Sequence, residues 1–300
     1  MHWYSDKHYV GTQPNFGIND IGPFNTMNQF NVSASYGLTP RWELSVDLPI
    51  LFHSYNLIRP LEGVSRAPVP IQAGVNGIGD ITVGAGYWLF PLAGTASRGN
   101  LQFSLGVQIP TGNDAATFSA YGRLIPAEWS VQPGDGAWGI APTLRGFHPL
   151  GRGYSVFGVA TYLITPRDTT GTRAFFPSLS HPDTTVVNSS TDQFYAEVGV
   201  AAPSPLPWLT PTLGYIVSGV PREDLIGGSD GFRRPATLAY LAPGISLTIA
   251  GQSFGISLPM MAYENIKPPV NPQNGRDLTD ATVPGFMFSI NHSFRFGGGL

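Results

Sequence analysis

Apolar and polar residues alternate strictly along several stretches of this chain, and none of these stretches has a helical period. In the clearest run, residues 101–109, the apolar positions are Leu101, Phe103, Leu105, Val107 and Ile109. The residues between them are Gln102, Ser104, Gly106 and Gln108. Successive side chains of a strand point to opposite faces, so the pattern predicts strands with one apolar and one polar face.

The alternation predicts about twelve strands and an all-β fold. Their approximate bounds are residues 2–10, 27–38, 41–55, 77–90, 101–111, 137–148, 154–165, 193–202, 209–219, 237–249, 252–263 and 285–296. An even number near twelve lies within the range of antiparallel transmembrane barrels.

The connections between these strands alternate between short and long. The first kind comprises residues 39–40, 91–100, 151–153, 204–208 and 251; the second comprises 11–26, 56–76, 112–136, 166–192, 221–236 and 265–284. Outer-membrane barrels have short periplasmic turns and long outer loops. We therefore predict that residues 1–300 form a single up-and-down β-barrel domain that spans the bacterial outer membrane. A long loop such as 166–192 is a candidate to fold inward and plug the lumen.

The two faces of the predicted strands differ in charge. Charged side chains fall on the polar face, where they avoid the cost of about 2–4 kcal/mol for a basic residue at mid-membrane depth. The predicted lumen-lining residues are Arg41, Glu43, Asp47, Asp80, Gln102, Gln108, Arg145 and Glu197. Their charges either set selectivity or pair across the lumen and fill it.

Aromatic residues gather near the predicted strand ends and suggest interfacial girdles. Near the short turns lie Trp42, Trp88, Phe90, Phe147, Tyr154 and Trp208, and near the long loops lie Phe52, Tyr55 and Tyr263.

Composition narrows the possible partners. Only 12% of the residues are charged, against about 25% in typical soluble domains. The net charge of −3 makes nucleic acid an improbable partner. The expected partners are outer-membrane lipid and small-molecule solutes, with a protein partner in the lumen or periplasm as a further option.

Several segments resemble the bacterial outer-membrane family known as "MetA-pathway of phenol degradation", a set of transporters. The matching pieces are residues 36–44, 46–49, 77–87 and 108–113, within a similar region that covers about residues 27–165. The resemblance implies a barrel that passes small, often aromatic or hydrophobic compounds. It carries over no binding residues.

The sequence offers little for catalysis or for metal and cofactor binding. The six histidines are scattered without metal-ligand spacing, and His292 shares a strand face with Ile290 and Phe294, so it is expected at the lipid or interface side. Acidic residues in the long loops, such as Asp224 and Asp277, could hold Ca²⁺, although a solvated loop is the simpler interpretation. We expect no catalytic residue, cofactor or metal.

Two functions from different classes remain. The first is a channel or transporter for passive passage of small solutes, with polar lumen residues forming a size and charge filter. The alternative is a structural sleeve that holds a periplasmic or electron-transfer partner. A polar strand face rich in small residues, such as Gly84, Gly86 and Gly106, would leave room for such a partner.

Overall fold

The protein is all-β. The structure, a computed structural model, describes residues 2–10, 13–14, 24–61, 65–91, 98–120, 123–127, 131–173, 187–270 and 280–294. These residues form β1 His2–Val10, β2 Gln13–Pro14, β3 Phe24–Gly37, β4 Trp42–Leu61, β5 Ser65–Ile78, β6 Ile81–Trp88, β7 Asn100–Ile109, β8 Thr117–Ala120, β9 Arg123–Pro126, β10 Gly139–Gly151, β11 Tyr154–Leu163, β12 Thr169–Arg173, β13 Val187–Ser189, β14 Gln193–Ala201, β15 Leu209–Val220, β16 Ala236–Ile249, β17 Gln252–Ser257, β18 Met260–Ile266 and β19 Asp280–Phe294.

The main sheet closes on itself. Its antiparallel strands follow the order β1, β3, β4, β6, β7, β10, β11, β14, β15 and β16. Both β17 and β18 come next, and each pairs with β19. The ring closes because β19 pairs with β1, from His2↔Phe288 to Val10↔Asp280. β5 and β6 are two parts of one wall strand, because both pair with β4, and β17 and β18 likewise both pair with β16. Counted this way, the wall has twelve strands, which confirms the predicted all-β antiparallel fold.

The outer face of the ring carries large apolar side chains that the protein leaves uncovered. Phe30 is 60% exposed, Phe103 56%, Val198 54% and Ile290 59%. Strand pairing places these residues in rows, since Phe103 lies opposite Tyr87 and Val198 opposite Tyr215. A continuous apolar exterior of this size is unusual for a soluble monomer.

Tight turns join the strands at one end of the ring. The two-residue turn Ala250–Gly251 has φ of 50° and 78°, and it links Ile249 to its partner Gln252. Two consecutive positive φ values are those of a type I′ turn, whose twist matches that of a hairpin. The long connections lie at the opposite end, so the predicted segregation of loop lengths is present.

The long connections contain strands that the alternation did not predict. Residues 56–76, expected as a loop, extend the β4–β5 hairpin, with Asn56 opposite Gln72 and Arg59 opposite Val69. Residues 112–136 contain the β8–β9 hairpin, and 166–192 contain the β12–β13 pair. The sequences of these segments lack the period of two that marks the strands of the wall.

Part of the barrel interior is filled. Ile216, Tyr240 and Ala242 on β15 and β16 are buried together, with Met261 and Met287 packed against them. The cavity described below is lined by other strands, β3, β4, β6, β7, β10 and β11. In the described part of the chain, no helix is long and apolar enough to cross a membrane.

Candidate functional site

A polar cavity of about 430 Å³ lies on the inner face of the ring. Side chains from β3, β4, β6, β7, β10 and β11 line it, many of them hydroxyls and amides: Ser35, Ser45, Thr82, Ser104, Gln108, Thr143 and Thr161. Each of these alternates along its strand with an outward apolar residue, as Ser45 does with Leu44 and Val46, which are 44% and 38% exposed. The period of two thus produces the cavity lining directly.

A charged bridge crosses the wall of this cavity. Arg145 on β10 donates from its Nη2 to Glu43 Oε1 on β4 at 2.5 Å and from its Nε to Gln102 Oε1 at 2.5 Å. Trp88 Nε1 donates to Glu43 Oε2 at 3.3 Å, and the Arg145 guanidinium lies 5.3 Å from the centre of the Trp88 ring. β6 and β7 separate the two strands that carry the pair, so the bridge spans the interior surface rather than two neighbouring strands.

Small residues make room for this bridge. A Cβ added at Gly86 would lie 2.6 Å from the Gln102 amide nitrogen, and one at Gly106 would lie 2.9 Å from the Thr82 methyl group. Gly84 is similarly covered by the Ser45 hydroxyl at 3.1 Å. These glycines leave room for the chain's own polar side chains, and they also border the cavity.

Asp47 is the charged residue of the cavity lining that takes no part in the Glu43–Arg145 ion pair. Of the three charged residues that line the cavity, Glu43 and Arg145 pair with each other, while Asp47 is exposed to the lumen. Its neighbours across the ladder are Ser33 and Thr82, which carry no charge. The cavity therefore has a net charge of one negative unit from these three residues.

Residues 131–137, which include the end of the 112–136 connection and lead into β10, fold against the inner face above the cavity. The Val131 carbonyl contacts His53 Nδ1 at 2.9 Å, and His53 alternates with the outward Phe52. Pro133 packs at Gly77, where a Cβ would approach its ring to 3.3 Å. We call residues 131–137 the inner segment. It also meets the cavity lining, because Gln108 Nε2 donates to the Asp135 carboxyl group at 3.3 Å.

The buried side chain of Gln132 holds the inner segment in shape. Its Oε1 accepts from the Ala116 amide at 2.9 Å, and its Nε2 donates to the Ala116 and Ala127 carbonyls at 3.1 and 2.9 Å. These bonds satisfy backbone groups that a folded-in loop would otherwise leave unpaired.

A pair of aspartates joins the inner segment to the barrel wall. The Asp80 carboxylate, in the short link between β5 and β6, accepts from the amides of Gly112 at 2.8 Å and Asp135 at 3.1 Å. The Asp135 carboxyl group accepts from the Ala137 amide at 2.8 Å and from Gln108 Nε2 at 3.3 Å. Burial raises the pKa of Asp135 to about 7, and the charge of Asp80 adds to this effect, while the Ala137 hydrogen bond opposes it.

A second buried network ties the outer connections together. Arg233 forms an ion pair with Asp224 in which the two side chains are 0% and 1% exposed. Asp192 accepts from the Thr165 and Leu225 amides, both at 2.8 Å, and its own amide donates to Asp224 at 2.9 Å. The Asp224 carboxylate thus accepts from Arg233 and from the Asp192 backbone amide.

The 166–192 connection, expected as a plug, is described only at its two ends. The described parts of the 166–192 connection pack onto the inner segment and the 221–235 connection: Arg167 Nη1 donates to the Gly136 carbonyl at 2.5 Å, and the Ser190 hydroxyl contacts the Asp135 carbonyl at 3.5 Å. Residues 174–186 lie outside the described residues. Among the described residues, those of the 112–136 connection reach the inner wall, where the Val131 carbonyl contacts His53.

The eight predicted lumen residues separate into groups. Glu43, Asp47, Gln102, Gln108 and Arg145 surround the common cavity, and Asp80 anchors the inner segment. Glu197 accepts from Tyr195 at 2.8 Å and Arg41 donates to Tyr87 at 2.9 Å; neither is among the residues that line the cavity. Arg41 instead lies at the tight-turn end, next to Tyr87, whose ring centre is 5.1 Å from that of Trp42.

Sequence reasoning missed Trp88 and the inner segment. Trp88, assigned to an aromatic girdle, is buried next to Glu43; the alternation of β6 already placed it on the polar face. His292 lies on the outer face as expected, stacked on Phe254 at 4.3 Å. Across the described residues, no three His, Cys, Asp or Glu side chains converge in a way that could hold a metal ion.

Comparison with known proteins supports the fold. The structure is similar to the crystal structure of an outer membrane channel from Pseudomonas putida F1, with a TM-score of 0.56 and 13% sequence identity over 97% of this chain and 89% of that chain. Neither a family model nor a curated protein matches the sequence. The resemblance to the phenol-degradation family therefore stays a prediction, and the barrel fold that it implies is present.

Proposed function

We propose that this protein is a bacterial outer-membrane channel through which small solutes pass passively. The observation that carries the proposal is the inverted arrangement of the barrel: large apolar side chains are exposed outside and a polar cavity lies inside. Strands can span hydrocarbon only as a closed barrel, which satisfies every backbone group. The fold shared with a channel of the outer membrane supports the same assignment.

Aromatic side chains near the tight-turn end also support membrane insertion. Trp42, Tyr154 and Trp208 are 48%, 45% and 44% exposed, and each lies next to a turn between strands. Amphipathic rings favour the membrane–water interface. These three residues would mark the periplasmic interface.

The cavity lining supports passage of polar rather than purely apolar solutes. Hydroxyl and amide groups can replace part of a solute's hydration shell as it crosses the narrow region. Passage of aromatic or hydrophobic compounds rests on the family resemblance alone. The two possibilities separate when a sugar and a phenol of similar size are compared in the same flux assay.

The channel is preferred to the structural sleeve because the fold is shared with an outer membrane channel and a polar cavity lies inside the barrel. Passive passage requires no catalytic group. The mechanism is diffusion through the polar lumen, limited by the Glu43–Arg145 bridge and by the inner segment.

A flux experiment on neighbouring residues of β4 tests the proposal. Ser45→Trp would fill the cavity, whereas Val46→Trp would add the same side chain to the outer face. In liposomes that contain purified protein, we expect swelling in a small sugar to fall several-fold for Ser45→Trp and to match the parent for Val46→Trp. Equal swelling in both variants, or none in the parent, would contradict passage through this lumen.

A further inference from the structure

The outer face carries a groove of about 650 Å³ across β10, β11 and β14. Its floor is made by Gly146, Gly158, Ala160 and Ala196, and its sides include Leu144 and Tyr215. The size lies within the range of sites that hold small molecules. The residues of its floor and sides alternate onto the outer face of the wall, although Arg145, Val159 and Glu197, which belong to the inner face of the same strands, also border it.

Strand register explains why the groove exists. Gly146 lies directly opposite Gly158, and Ala160 lies directly opposite Ala196. Residues directly opposite each other share a face, so the small side chains form two adjacent rows. Around them the outer face carries bulky residues, such as Phe103 at 56% and Val198 at 54% exposure.

One end of the groove carries a positive charge. Arg98, next to the turn between β6 and β7, is one of its lining residues and places its guanidinium 4.3 Å from the centre of the Phe90 ring. The Arg98 carbonyl contacts His148 Nδ1 at 3.1 Å. This end lies with the tight turns, at the level assigned above to the periplasmic interface.

The groove is closed on its inner side. β11 and β14 pair without a register shift from Ser155↔Ala201 to Leu163↔Gln193, and β10 pairs with β11 continuously from Thr143↔Thr161 to Pro149↔Ser155. An occupant of the groove therefore stays on the membrane side of the wall and does not reach the lumen.

We propose that the groove binds an anionic phospholipid of the periplasmic leaflet, with one acyl chain along the small-residue floor and the phosphate at Arg98. The proposal rests on the membrane insertion argued under the proposed function. An apolar channel with a cation at the interface complements a lipid that has an apolar chain and an anionic headgroup, and Arg pairs well with phosphate.

Lipid retention measured on intact protein in detergent tests the site. The probes are phosphatidylglycerol and phosphatidylcholine with identical chains, detected by native mass spectrometry. The groove is filled in the double variant Ala160→Leu/Ala196→Leu and its charge is removed in Arg98→Gln. Ala34→Leu enlarges an alanine elsewhere on the outer face, opposite Val46, and is the matched control. Planar-bilayer conductance is recorded for each protein.

For the parent and for Ala34→Leu, we expect a bound phosphatidylglycerol that survives lipid removal. Retention should fall roughly tenfold in Arg98→Gln, as expected for loss of one hydrogen bond to a charged group, and should fall at least as far in the filled variant. Conductance should be unchanged in all of them. Equal retention by the parent and the filled variant, or equal retention of the two lipids, would overturn the proposal. A parent protein that shows no conductance would instead contradict the proposed function.

Discussion

Individual lumen residues have distinct electrostatic roles. The Glu43–Arg145 pair is internally neutral, and Gln102 and Trp88 hold its geometry. Asp47 is left with its charge facing the cavity. Because exposed charge in a confined pore attracts counterions, the ion selectivity of the proposed channel should depend more on Asp47 than on the paired residues.

We expect Asp47→Asn to reduce the preference for cations over anions. The measurement is the reversal potential under a salt gradient at low ionic strength, where screening is weak. Asp168→Asn is a suitable control, since its carboxylate accepts from the Gly228 amide in the outer connections. A reversal potential that is identical in the parent and in Asp47→Asn would show that Asp47 does not set selectivity.

The sequence predicts which face of a strand each of these residues occupies, but it does not predict which of them form an ion pair. The alternation placed Glu43, Asp47, Gln102 and Arg145 on one face, because a strand has a side-chain period of two. Pairing between Glu43 and Arg145 depends on which strands stand near each other and on the missing side chain at Gly86. No local pattern encodes that distance.

At the scale of elements, the strands were predictable and the connections were not. Alternation is enforced wherever a strand has a polar and an apolar side, and the predicted strands therefore match those of the wall. The inner segment has no such period. Its position depends on bonds from Gln132 to the distant residue Ala116, which the sequence does not reveal.

The aspartate pair gives the inner segment a dependence on pH. The pKa of Asp135 is raised to about 7 from an ordinary value of 3.8, so the folded segment binds the proton more tightly than the unfolded segment does. Its stability is therefore greatest below the ordinary value and falls as pH rises through about 7. Above that pH, Asp135 and Asp80 are both charged and repel each other.

We expect conductance to rise, or to fluctuate more, between pH 5 and pH 8, and Asp135→Asn to remove most of this change. Other groups contact the same segment: His53 at Val131 and Arg167 at Gly136. Histidine also titrates in this range, so His53→Gln is the necessary control. If Asp135→Asn retains the full pH response while His53→Gln loses it, the aspartate pair is not responsible.

The outer connections should depend strongly on the buried Arg233–Asp224 pair. Asp224→Asn leaves the arginine charge buried, and removing one partner of a buried pair costs about 3–5 kcal/mol. We expect limited proteolysis to cut residues 221–235 much faster in this variant, while the barrel wall remains resistant. Exposed Glu223→Gln is the matched control in the same connection. Unchanged cleavage of Asp224→Asn would contradict this role.

At the scale of the whole molecule, apolar and polar surfaces are arranged in the reverse of the order found in a soluble protein. The ring of strands closes through β1 and β19, with apolar side chains exposed outside and polar groups inside. The composition already indicates an apolar exterior, since only 12% of the residues are charged. The sequence could not show that part of the interior is filled by Ile216, Tyr240 and their neighbours, because apolar residues on an inward face break the simple inside–outside pattern.

Single-channel recording in a planar bilayer tests the central claim, a membrane barrel with a conducting polar lumen, most directly. We expect purified protein to insert from detergent and to give discrete, stable openings, with smaller conductance for Ser45→Trp than for the parent. Insertion without conductance would contradict an open lumen. A protein that stays soluble and monomeric without detergent would contradict the membrane assignment itself.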